Sequence, residues 1–173
     1  MGAQRFDSFV EICEVSDAFR WAREEAVREY GDGGYSGTIA EKTSFHVITE
    51  QVMTYREAMK LATDLLDSAD PRVDGTWGPA GAVGVKRTHR TLIVPDLPEA
   101  GHGQLTSAQQ RRVTAIAAER DLLGDDETVV RGMWHPAAAD RSWVADLIVR
   151  RSPAAIAAQH QPDGWLFFGQ ASF

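Results

Sequence analysis

Residues 43–66 read TSFHVITEQVMTYREAMKLATDLL, and the period of the apolar positions changes partway along. Over residues 43–51, Phe45 and Val47 alternate with His46 and Ile48, which is the two-residue repeat of a strand. Beyond Thr54 the apolar positions become Ala58, Leu61, Ala62, Leu65 and Leu66, the stripe of an amphipathic helix. Thr54-Tyr55-Arg56-Glu57 is a capping box at the junction. The threonine hydroxyl and the carboxylate three residues later each satisfy an orphan backbone N–H.

Upstream, FVEICEV over residues 9–15 alternates like a half-buried strand, with Ser16 or Asp17 capping a helix that follows. That helix runs over residues 17–30 on Phe19, Ala22, Ala26, Val27 and Tyr30, and Gly31 stops it. Downstream, SADPRVDGTWGPAG is rich in turn formers. Residues 82–86 and 91–94 then read as two short strands joined as a hairpin around Thr88-His89. The loop PDLPEAGHG spans residues 95–103. Beyond it, Thr106-Ser107 with Gln109-Gln110 offers a second capping box, and Val113, Ile116, Ala117 and Leu123 carry a helix to Gly124. Strand-like runs at 128–134, 143–149 and 165–168 follow, with a short helical segment at 152–160 between the last two. This order predicts an α+β fold: a mixed or mainly antiparallel sheet with about three helices packed on one face. A single domain over residues 1–173 is expected, with any internal boundary near residues 95–105.

Composition sets the class of function. The chain has 173 residues, 43% hydrophobic and 25% charged, the range of one soluble globular domain. Its single cysteine, Cys13, excludes an intrachain disulfide, fits a reducing compartment and is expected to be a small buried residue. No apolar run approaches membrane-spanning length, and MGAQRFDSFVEICEV holds no export-type segment, so a cytoplasmic protein with no membrane partner is expected. Eighteen Lys and Arg against 25 Asp and Glu give a net charge of -7, a field that repels polyanions. Lys86, Arg87, His89 and Arg90 form the densest basic cluster, and Arg111-Arg112 and Arg150-Arg151 are smaller ones. None is interleaved with aromatics, so they read as solvated surface and nucleic acid is disfavoured as a partner.

The unusual segment is GDGGYSGTIAEK, residues 31–42. Glycine density at Gly33, Gly34 and Gly37 lets a backbone approach a ligand and aim N–H groups at an anion. Ser36 and Thr38 would add hydroxyls, Lys42 a charge and Tyr35 a stacking face. This set suits an anionic, nucleotide-like small molecule. The glycines nevertheless follow a helix and precede a strand, the reverse of the phosphate-binding fingerprints, so a plain helix-to-strand connection is the competing reading. Trp77, in a Gly/Pro turn, fits either a ring that caps a pocket or one that plugs the edge of the core. Glu41 and His46 would make an acid/base pair if they converged, against the commoner alternative of a hydrogen-bonded structural histidine. His135 has the same two readings, with Asp140 a short distance on. The five histidines never share metal-ligand spacing, so neither a metal nor a cofactor is expected. Trp134, Trp143, Trp165, Phe167 and Phe168 read as core.

GYSGTIAEK, preceded by the amphipathic helix and followed at a distance by the WGPAGAV run of residues 77–83, resembles uncharacterised proteins of actinobacteria and their phages. The resemblance covers roughly the first half of the chain. It implies no activity, but groups Tyr35, Gly37, Thr38, Glu41, Lys42 and the Trp77 turn as parts of one site. A small-molecule binder that sequesters or senses its ligand through residues 31–42 is the leading expectation. The alternatives are a small hydrolase or transferase using Glu41 and His46, and an acidic interaction protein that occupies a protein partner's basic site. Pairing of two copies through a strand edge or the C-terminal aromatic strands is compatible with all three.

Overall fold

AGAVGVK, residues Ala80–Lys86, buries six of its seven residues, and a strand without a wet face must be covered on both sides. In the computed structural model, which describes residues 2–31, 33–98, 101–136 and 143–173, this strand is β3 of a mixed four-stranded sheet. The sheet's other members are β1 (Ala3–Val10), β2 (Phe45–Thr54) and β8 (Gly164–Ser172), in the order β1-β8-β3-β2. β2 and β3 pair in parallel, while β8 runs antiparallel to both β3 and β1. Helix α1 (Val15–Tyr30) lays Ala18, Phe19, Ala22 and Ala26 in one cluster with Ala80, Ala82 and Phe167. Helix α2 (Tyr55–Asp67) lays Ala58, Ala62 and Leu66 in another with Val83, Val85, Leu166 and Phe168. Because alternate strand residues face opposite ways, these clusters lie on opposite faces of the sheet, which makes three layers.

The chain divides into two compact units, residues 1–87 with 159–173, and residues 88–158. The second unit is an antiparallel sheet of β4 (His89–Leu97), β5 (Gly103–Gln104), β6 (Glu127–Pro136) and β7 (Trp143–Arg151), in the order β4-β7-β6-β5. Here burial alternates. Leu92, Val94 and Leu97 face a core with Val113 and Ala117 of α3 (Ser107–Glu119), while Ile93 is 59% exposed. The short α4 (Pro153–Ala158) follows β7. Arg90 closes the unit with a two-pronged bond to Glu127, at 2.6 and 2.5 Å.

The α+β class stands, with four helices and eight strands among the described residues, but four expectations change. There are two sheets, and in the first unit helices cover both faces rather than one. The expected hairpin across Thr88-His89 does not form: β3 pairs with β2 and β8, whereas β4 pairs with β7, because β3 is apolar on both faces and β4 on one. The first strand is Ala3–Val10, not residues 9–15; Glu14 accepts the N–H of Asp17 and starts α1 at the end of the alternating run. Cys13 therefore lies in the connection and is exposed. The segment 95–103 falls within the second unit, and Glu99 and Ala100 lie outside the described residues.

Candidate functional site

At the end of the first sheet where β2 and β3 begin and β8 finishes, three pieces of chain meet: residues 33–42, the turn 75–78 and Ser172. Gly34 and Gly37 hold φ of 70° and 69°, a left-handed conformation that glycine tolerates without a Cβ penalty. Tyr35 lies between them at φ 58°. For a bulky residue that backbone is strained, costing about 1–3 kcal/mol and persisting only where its surroundings impose it, and such strain concentrates at ligand-binding and active sites. Asp32 lies outside the described residues.

The tyrosine ring meets Trp77 edge to face, with centroids 6.1 Å apart and planes at 87°. Both rings stay in water: Trp77 is 67% exposed and Tyr35 53%. Beside Trp77 lies an open depression of about 420 Å³ shared with Gly2, Ala3, Thr76 and Ser172.

Lys42 is the support beneath this turn. Its side chain is buried, and its ammonium donates to the carbonyls of Gly75, Thr76 and Gly78 at 3.0, 2.8 and 3.2 Å, lying 5.7 Å from the Phe6 ring centre. An ammonium has three donors, and all three are spent here. Burial pushes its pKa below the usual lysine value, against the opposing pull of the Glu41 charge. Lys42 thus fixes the Trp77 turn and has no donor left to offer an anion.

Glu41 is equally committed. One oxygen accepts from the Gly37 N–H at 2.9 Å and the Ser36 hydroxyl at 3.2 Å; the other accepts from the N–H and hydroxyl of Ser172 at 2.9 and 2.5 Å. Burial works to raise its pKa, but the bonds from Ser172, Gly37 and Ser36 outweigh it and hold the carboxyl below the ordinary range. Thr38 accepts from the Ala40 N–H, capping a 3-10 turn over Ile39–Glu41, and its hydroxyl also contacts Ser36 at 2.9 Å. His46 is exposed on β2. Nearby, the Asp70 carboxyl is lowered to about 2, chiefly by the side-chain and backbone hydrogen bonds of Arg72. Among the described residues no hydrogen bond joins His46 to Glu41.

Glycine loop, Tyr35, Lys42 and Trp77 therefore come together, and an acid/base pair of Glu41 and His46 is not assembled. The Gly78 carbonyl belongs to the Trp77 turn already grouped with the site, whereas Ser172, Thr76 and the Gly75 carbonyl join it with nothing local in their sequence to mark them. Away from it, His135 pairs with Asp146 at 3.0 Å, and Asp140 lies outside the described residues. Among the described residues no group of three His, Cys, Asp or Glu is placed to hold a metal, and no helix is long and apolar enough to cross a membrane. The arrangement is a rigidly backed pair of exposed rings beside an open recess. No family model, curated protein or solved structure matches the chain.

Proposed function

We propose that the protein binds a small molecule with a flat ring at the Tyr35–Trp77 end of its first unit, and sequesters or senses it without converting it. The observation that supports this reading is the exposed ring pair, with Tyr35 in a strained backbone and the Trp77 turn tied down by a buried lysine. Hydrophobic rings kept in water by a costly local structure are poor core material and good stacking platforms. Because Lys42 is occupied and the first unit carries 16 acidic against 10 basic side chains, an uncharged, nucleoside-like ring is favoured over a heavily phosphorylated one. The commitment of Glu41 to four donors removes the only carboxylate proposed as a general base, which favours binding over catalysis.

A thermal-shift panel of nucleosides, mono- and triphosphates and sugar phosphates tests this, with the products chromatographed. A nucleoside should raise the melting temperature and be recovered intact, and Trp77→Ala should weaken binding about 10- to 100-fold, the range for loss of one stacked ring. A panel with no active member, a shift that survives Trp77→Ala, or a converted ligand would each refute the reading.

A further inference from the structure

The first sheet has two edges, β1 and β2. Register shifts at Val47/Thr49 and Thr49/Met53 break β2, the kind of irregularity that discourages further pairing. β1 has no such protection. Its eight residues keep unbroken register with β8, from Ala3 opposite Ser172 to Val10 opposite Trp165, and none is proline. Among the described residues no strand lies beyond it.

Between this edge and α1 lies a recess of about 230 Å³. Phe6, Asp7 and Ser8 all line it. Successive strand side chains point to opposite faces, so what three consecutive residues share toward the recess is the backbone edge itself. The facing wall is α1, where Trp21, Glu25 and Glu29 recur four residues apart along one side, and Ala22 and Ala26 lie deeper. Trp21 is 48% exposed and Tyr30, at the end of the groove, 59%. Glu25 holds Arg28 in an exposed pair on the same helix, a contact readily exchanged for another cation, and Glu29 shares a hydrogen bond with Tyr30.

We propose that this groove binds an extended, basic peptide segment of a partner protein, which adds a strand to β1 and places a Lys or Arg side chain in the recess. The parts match that occupant. Main-chain groups of β1 supply the ladder, Ala22 and Ala26 accept an aliphatic stem, and Glu25, Glu29 and the face of Trp21 receive the cation. A second copy fits less well. Two-fold pairing would set the same carboxylates on both sides of the contact, in a unit with 16 acidic against 10 basic groups.

The test is selection of random dodecamer peptides on the immobilised full chain. A Glu25→Gln/Glu29→Gln variant is run beside a Glu50→Gln/Asp64→Asn variant that removes the same charge elsewhere in the first unit. The recovered peptides should be enriched in Lys or Arg flanked by alternating β-branched residues. The most enriched one should lose at least tenfold in affinity to the first variant and less than twofold to the second. Its binding should also slow exchange of the β1 amides not already paired with β8. Any of four results would overturn the proposal: no enrichment, enrichment without basic residues, equal loss in both variants, or binding that leaves β1 amides unprotected. A concentration-dependent dimer that protects β1 without peptide would overturn it in favour of a second copy. The Tyr35–Trp77 reading is not engaged by any of these outcomes.

Discussion

β3 of the first unit and β7 of the second are both inner strands, each with a hydrogen-bonded neighbour on either side, yet they distribute burial differently. β3 is buried at six consecutive positions, while β7 alternates buried Ala145, Leu147 and Val149 with half-buried neighbours. The cause is layering: α1 and α2 cover both faces of the first sheet, and α3 packs on one face of the second, leaving Ile93, Val130 and Met133 in water. Strand period thus reports how many layers a sheet belongs to. Charge differs as well, with 10 basic against 16 acidic side chains in the first unit and 8 against 9 in the second.

The sharpest way to break this contrast is at Lys42. Lys42→Met keeps much of the volume but strands three carbonyls, and should cost about 3–5 kcal/mol, as loss of one partner from a buried charged cluster does. Native-state amide exchange should show the loss in β3 and β8 and leave β7 near its wild-type value; equal losses would mean that the units open together. A matched pair of hydroxyl insertions comes next. Val83→Thr buries an unpaired hydroxyl and should cost about 1–3 kcal/mol, whereas Ile93→Thr should stay within about 0.5 kcal/mol in urea titrations. Comparable costs at the two positions would contradict the two-layer description of the second unit.

Acid separates the units by mechanism. Glu41 and Glu127 both have pKa values below the usual glutamate value of 4.5; burial opposes the shift at Glu41, and at Glu127 hydrogen bonding to Arg90 leads. A depressed carboxylate stabilises fully above its unfolded pKa, so each contribution should fade as pH falls below about 4.5 and through the lower native value. Glu41 is held by neutral donors and Glu127 by a guanidinium, so raising salt at pH 6 should weaken protection near β6 more than near β8. Equal salt sensitivity would remove the distinction. Thr54→Ala and Thr106→Ala each delete a capping box and should cost about 1 kcal/mol, the first in α2 and the second in α3.

What is legible in the sequence is what is local. Both capping boxes lie where Thr54 and Thr106 with their i+3 partners place them, because each device spans four residues. Tyr35, the glycines and Trp77 stand out as local oddities, a glycine-dense loop and a tryptophan in a Gly/Pro turn, and the two rings do meet. The roles of Lys42 and Glu41 are not legible. Their partners are backbone groups 33 to 36 residues away for Lys42, and Ser172, 131 residues away, for Glu41; carbonyls and a serine carry no pattern that announces them. A hairpin between β3 and β4 follows from adjacency alone, and adjacency fails where the chain leaves one unit for the other. FVEICEV misleads because alternation persists through residues 11–15, where Glu14 already serves as a helix cap.

The place of β8 bears on how the protein is made. It lies between β1 and β3 in the first sheet, yet it follows them in the chain by an entire inserted unit. As a nascent chain leaves the ribosome, β1 and β3 emerge early with no ladder to join them, while residues 88–158 already contain every strand of their own sheet. Release of stalled chains into a brief protease pulse should therefore find the insertion resistant and residues 1–87 sensitive until 164–172 are out; early resistance of residues 1–87 would contradict this order. Residues 1–87 are made before the insertion and finished after it, and their apolar faces wait until residues 164–172 have emerged.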